Sequence, residues 1–128
     1  MTRLTIVAVS AAALLAGMVA ASAADDHAHA AKHGGQYVEV EGHHGVEMVA
    51  STDALTFHLT DDDKPMDLSG AQFKAVVQTD AGTTSVALSV EGGVLKGPLK
   101  APLPVGAKIV ISGKDRHGHA LQARFVKN

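Results

Sequence analysis

The chain has 128 residues, no cysteine and no tryptophan; 46% of its residues are hydrophobic and only 3% aromatic. Eleven Lys/Arg stand against thirteen Asp/Glu, a formal net charge of −2, so the basic surface that a nucleic-acid or anionic-membrane binder needs is missing. Without cysteine there are no disulfides and no thiolate metal chemistry, and the core must be built from Val, Leu, Ile, Ala and three Phe.

The opening segment reads as an address. Arg3 supplies positive charge, Leu4 to Ala21 is apolar, and Ala21-Ser22-Ala23-Ala24 offers small residues for processing. This pattern predicts a secretory signal peptide over residues 1–23, cleaved after Ala23 or Ala24. The competing reading, an anchoring helix, is disfavoured because the alanine-rich run ends in a processing site rather than a charged stop. No cysteine follows to carry a lipid, and no later segment has the length and apolarity of a membrane-spanning helix. The expected product is a periplasmic protein with no stable membrane insertion. Cleavage after Ala24 would leave Asp25-Asp26-His27 at the amino terminus, where an α-amine, two amide nitrogens and the His27 imidazole suit Cu(II) or Ni(II). Cleavage after Ala23 leaves only looser contacts from His27 and His29.

Residues 24–35 form a polar, histidine-containing lead-in predicted to be flexible. From Gln36 the pattern is that of a hairpin: Val38 and Val40 alternate with polar neighbours, Gly42-His43-His44-Gly45 turns the chain, and Val46 to Val49 returns. An even loop would bring Glu47 to the Val38/Val40 face. An odd loop brings Val46 and Met48 there and turns Glu47 outward beside Glu39 or Glu41. Because a one-residue slip moves every side chain to the other face, burial of two apolar residues favours the odd loop.

Leu55-Thr56-Phe57-His58-Leu59-Thr60 alternates with Leu55, Phe57 and Leu59 inward and His58 outward. Asp61-Asp62-Asp63-Lys64-Pro65 is a solvated acidic turn; as a calcium site it lacks the full EF-hand spacing. Further strands are predicted at Gln72 to Gln78, at Thr84 to Val90 with Val86, Leu88 and Val90 on one face, and at Val94 to Lys96. Pro98, Pro102 and Pro104 mark an irregular crossing that cannot join a central strand. Lys108 to Ser112 and Ala120 to Val126 pair around Asp115-Arg116-His117-Gly118. Seven or eight short antiparallel strands with regular turns and no helix predict an all-β domain over 36–128. The expected architecture is an immunoglobulin-like β-sandwich without the Cys–Trp–Cys pin, with a small β-barrel as the alternative.

Three segments together carry a resemblance: His33-Gly34-Gly35 with Val46-Glu47-Met48-Val49; Leu55 to Asp61 running on to Lys64-Pro65-Met66-Asp67 and Ser69-Gly70-Ala71; and Ala123-Arg124-Phe125. They resemble a small β-domain found alone in exported bacterial proteins and near the N-terminus of periplasmic adaptor (membrane-fusion) subunits of heavy-metal efflux pumps. The resemblance implies a periplasmic setting, a link to copper, zinc, cobalt or nickel handling, and an efflux adaptor as a partner. It implies no catalytic residues. Where the family often has an aromatic on its third strand, this chain has His58.

Eight histidines fall beyond the signal segment: His27, His29, His33, His43, His44, His58, His117 and His119. Taken singly, each reads first as a solvated surface residue, but the enrichment points to metal binding. The predicted folded site is His33 with Glu47 and either His43 or His44, since imidazole and carboxylate ligate zinc and imidazole also serves copper and nickel. His58 reads either as an additional ligand or as a polar surface residue, and His27 and His29 form a tail site. Met48 on an apolar strand face reads as core, and Met66 as the more accessible thioether. There is no cysteine nucleophile, Gly-x-Ser-x-Gly elbow, phosphate-binding glycine loop or His-Glu-x-x-His helix. The sequence thus predicts a non-enzymatic exported protein that buffers or passes copper, zinc or nickel, with no organic cofactor. The rival is a β-sandwich interaction module of an envelope or efflux complex whose histidines are only surface.

Overall fold

A computed structural model describes residues 31–128. The predicted signal peptide and the tail histidines His27 and His29 lie outside the described residues. Ten strands follow in order: β1 (Gln36–Val40), β2 (His44–Ala50), β3 (Ala54–Asp61), β4 (Lys64–Pro65), β5 (Gln72–Thr79), β6 (Gly82–Ala87), β7 (Ser89–Glu91), β8 (Val94–Pro98), β9 (Lys108–Lys114) and β10 (Ala120–Val126). They form two antiparallel sheets. One runs β1-β2-β3-β8-β7 with β4 on the end of β3; the other runs β10-β9-β5-β6. The sheets do not merge into a barrel. The order β2-β3-β8-β7 facing β10-β9-β5 is the A-B-E-D and G-F-C order of an immunoglobulin-type sandwich. β1 is an additional strand on one edge and β6 on another.

Period-2 alternation supplies the core. Val46, Met48, Leu55, Phe57, Leu59 and Leu95 point inward from the first sheet, and Ala75, Val77, Ile109, Ile111, Leu121, Ala123 and Phe125 from the second. Phe57 and Phe125 meet across the two sheets, ring centroids 6.1 Å apart and tilted by 47°. Each fully buried Leu, Ile or Phe contributes about 1.5–3 kcal/mol, which is how a domain without cysteine holds together.

The first hairpin has the odd loop. Val38 pairs Val46 and Val40 pairs His44, and the three-residue turn uses positive φ at Gly42 (76°) and His43 (64°). Val46 and Met48 are therefore core, both 2% exposed. Asp62 and Asp63, at φ 48° and 64°, make a two-residue turn between β3 and β4. Aspartate is among the few residues that tolerate this conformation, so the acidic run supplies turn chemistry.

Three expectations are corrected. The strands number ten rather than seven or eight, because the β3 turn continues into β4 and the stretch Thr84 to Val90 divides. β6 bonds to β5 in one sheet and β7 to β8 in the other, with the chain crossing at Leu88; Val90 ends up 47% exposed. Alternation persists through such a crossing, so periodicity cannot reveal the change of partner. Pro98 belongs to β8, opposite Ala54, at a strand end beyond the last β7 pairing at Lys96, where its missing N–H breaks no ladder. Met66, half-buried against the core, is the more accessible thioether, as expected, since Met48 is buried.

Candidate functional site

Strand register builds the site. Tyr37 on β1 pairs Glu47 on β2, and Glu47 pairs His58 on β3. Because Val38, Val46 and Leu59 point into the core, these three residues stand side by side on the outer face of the first sheet. The end of the lead-in then folds across that face and brings His33 onto the row. Gly35 makes the fold possible: a Cβ there would meet the Met48 carbonyl and the Val49 side chain, so only glycine lets the backbone pass this close.

Glu47 is the anchor. The odd loop turns it to the outer face as expected, but not to solvent: it is 4% exposed because the lead-in covers it. Its Oε1 accepts from the Lys32 N–H (2.9 Å) and lies 3.0 Å from His33 Nδ1. Its Oε2 accepts from the His33 N–H (2.8 Å) and the Gly35 N–H (2.9 Å). Burial alone would raise the pKa of this carboxyl, but the His33 side chain and the three backbone N–H groups outweigh it and bring it down to about 2. An ionised carboxylate only accepts hydrogen bonds, so His33 Nδ1 must be the donor and its Nε2 is left with the lone pair. Four donors use the four lone-pair directions of the carboxylate. Glu47 is thus set to orient His33 rather than to offer an oxygen elsewhere.

The His33 ring stacks on His58, centroids 3.6 Å apart and planes within 4° of parallel. Burial lowers the His58 pKa, and proximity to His33 lowers it further, against the opposing charge of Glu47; His58 is therefore a neutral base at pH values where an ordinary imidazole is protonated. Beside the stack is a cavity of about 30 Å³ lined by His33, Tyr37, Glu47, His58, Thr60, Asp63 and Lys32. Burial raises the Tyr37 phenol pKa, although its hydrogen bond with Thr60 acts in the other direction.

The structure thus brings His33, Glu47 and His58 together, and it separates His43 and His44 from them. His44 is three residues before Glu47 on β2, so alternation puts it on the opposite face, at the mouth between the sheets. His43 is exposed in the β1–β2 turn. His117 and His119 sit in the β9–β10 turn, where the buried Asp115 (7% exposed) gathers them. Asp115 Oδ1 accepts the His117 and His119 N–H groups at 2.8 Å each. Burial pushes the Asp115 pKa up, but these N–H groups and the neighbouring histidines prevail and hold it below the ordinary value.

Sequence reasoning did not single out Tyr37 or Thr60, and it read Asp63 and Asp115 only as turn residues. Asp115 had a readable signal, an aspartate opening a turn and placed to bind the backbone two residues on; the other three depended on cross-strand register. Among the described residues, no three His, Asp or Glu side chains already converge in metal-coordinating geometry. Comparison with family models, with curated proteins and with solved structures finds no match to this chain.

Proposed function

We propose that the protein is an exported, non-enzymatic metal-binding protein that buffers or passes copper, zinc or nickel in the periplasm, with an efflux adaptor as the partner it serves. The observation that carries this reading is the His33–Glu47 pair. A carboxylate bonded to Nδ1 fixes the tautomer and raises the basicity of Nε2, which is the outer-shell arrangement that supports metal-bound histidine. His58, neutral and stacked on His33, is the second ligand, and the Asp63 carboxylate lines the same small cavity. A shared ion requires the two rings to fan out of their stack, and the His33 side chain, 50% exposed, has room to do so. Glu47 acts through His33 and is not itself a ligand in this reading. Among the described residues no pairing suggests a nucleophile with its general base, so the reading is non-enzymatic.

The test is the thermal unfolding of the exported chain with micromolar Cu(II), Zn(II) or Ni(II). Binding to the native state alone stabilises by about 2.7 kcal/mol at a hundredfold excess over Kd, which for a domain of this size raises Tm by on the order of 10 °C. His33→Ala and His58→Ala should each reduce that shift. The absence of three pre-assembled ligands among the described residues favours the other reading, a β-sandwich interaction module; a Tm unmoved by all three metals would remove the folded metal site and leave that reading.

A further inference from the structure

One end of the sandwich carries a second set of ligating groups, on the opposite face of β2 from Glu47 and independent of the His33 reading. Here the β1–β2 turn, the end of β3 and the β9–β10 turn surround an open groove of about 500 Å³, into which His44, Asp61, Asp115, His117 and His119 project. His44 Nδ1 is 2.8 Å from the Glu41 carbonyl oxygen. A carbonyl only accepts, so Nδ1 holds the proton and Nε2 the lone pair. That Nε2 lies 3.8 Å from Asp61 Oδ1. His119 approaches from the other sheet, its Nδ1 in ion-pair contact with Asp115 Oδ2 at 3.2 Å, which leaves Nε2 as the ring nitrogen not engaged by that carboxylate. Two imidazoles on different sheets therefore face one groove, and each already has the oxygen partner that metal-bound histidines use to hold their orientation.

The geometry points to a zinc site at this mouth, with His44 Nε2, His119 Nε2 and the Asp61 carboxylate as ligands and a fourth position open. Zinc takes three mixed nitrogen and oxygen ligands at about 2.0–2.2 Å, which puts neighbouring tetrahedral ligand atoms about 3.4 Å apart. The His44–Asp61 pair at 3.8 Å is therefore a few tenths of an ångström from ligating distance. The three ligands do not converge as the chain stands, so zinc binding requires the β9–β10 turn to carry His119 toward the β1–β2 turn, which would tie the two sheets together at their open end. His117, its ring centroid 6.1 Å from that of His119, is held by its backbone to Asp115 and flanks the site.

Long-range proton–nitrogen NMR of the exported chain, titrated with zinc, tests this directly because each imidazole nitrogen is observed separately. Zinc is expected to move the Nε2 resonances of His44 and His119 together, at one stoichiometry, with their Nδ1 protons retained. His44→Gln, His119→Gln and Asp61→Asn should each weaken this event at least tenfold, and His33→Ala should leave it in place. Zinc moving neither resonance, or moving one alone, overturns the proposal. So does a response of both that disappears in His33→Ala, because the ion would then belong to the other face. A failure of the His33 site leaves the His44 and His119 signals responding, so the two readings are separated in one experiment.

Discussion

The imidazole of His33, supplied by the lead-in, lies flat on that of His58, supplied by the third strand, with 3.6 Å between ring centroids. This contact and the Glu47 hydrogen bonds are what fasten the segment before β1 to the sheet. They also make two roles for His58 separable, an aromatic surface for His33 and a nitrogen ligand.

His58→Phe should separate them. The phenyl ring preserves the stack, so the unfolding free energy in urea should stay within about 0.5 kcal/mol of wild type. Metal stabilisation at this face should fall, because phenylalanine has no lone pair. Calorimetric titration together with chemical unfolding reads both quantities; full metal affinity in His58→Phe would remove His58 from the ligand set.

Glu47→Gln retains shape but loses charge and turns half of the acceptor into a donor facing N–H groups. Charge-assisted hydrogen bonds to a buried carboxylate are worth about 1.5–3 kcal/mol each before compensation, so a net destabilisation of about 2–3 kcal/mol is expected in chemical unfolding. Hydrogen exchange at Lys32, His33 and Gly35 should speed up in the variant, since their common acceptor is weakened. Unchanged protection at those amides would show that the lead-in is held by something else.

Acidification should destabilise the metal-free protein in two stages. His58 has its pKa lowered from 6.5 in the fold, so its contribution is complete above that value and declines as pH falls below it. Glu47 titrates near 2 in the fold against 4.5 ordinarily. Its contribution is complete above about pH 5 and fades as pH falls from 4.5 toward 2, a loss of on the order of 2–3 kcal/mol. Asp115, also lowered, has the same sign. Unfolding free energies measured with a chelator from pH 7 to pH 2 should show both stages in wild type, and Glu47→Gln should lose much of the second. Parallel curves for the two proteins below pH 4.5 would contradict the assignment.

Gly35→Ala tests the path of the lead-in without touching a ligand. The added methyl group has no room beside the Met48 carbonyl and Val49, so the backbone must lift from the sheet, at a cost of about 1–3 kcal/mol. The Glu47 hydrogen bonds and the His33 stack should loosen together, seen as a shift of the His33 and His58 ring signals by NMR and a weaker metal response at that face. Wild-type ring shifts would mean that the chain accommodates the methyl elsewhere.

The strand pattern, the inward set Leu55, Phe57 and Leu59, the odd loop of the first hairpin and the sandwich itself were legible in the sequence, because strand alternation and the cost of exposing apolar residues are local properties. Parity alone placed Glu47 and His58 on one face. Which sheet each strand joins was not legible: β6 and β7 share an unbroken alternation, and only packing sends them to different partners. Nor could parity show that Glu47, on an outer face, would be buried under residues 32–35 and ionised there by three backbone N–H groups and His33. The sequence pointed to His33, Glu47, His43 and His44 as one constellation through their closeness along the chain. Strand parity put His44 on the opposite face of β2 from Glu47, pairing with β3 put it beside Asp61, and only the packing of the two sheets places it on the same groove as His119.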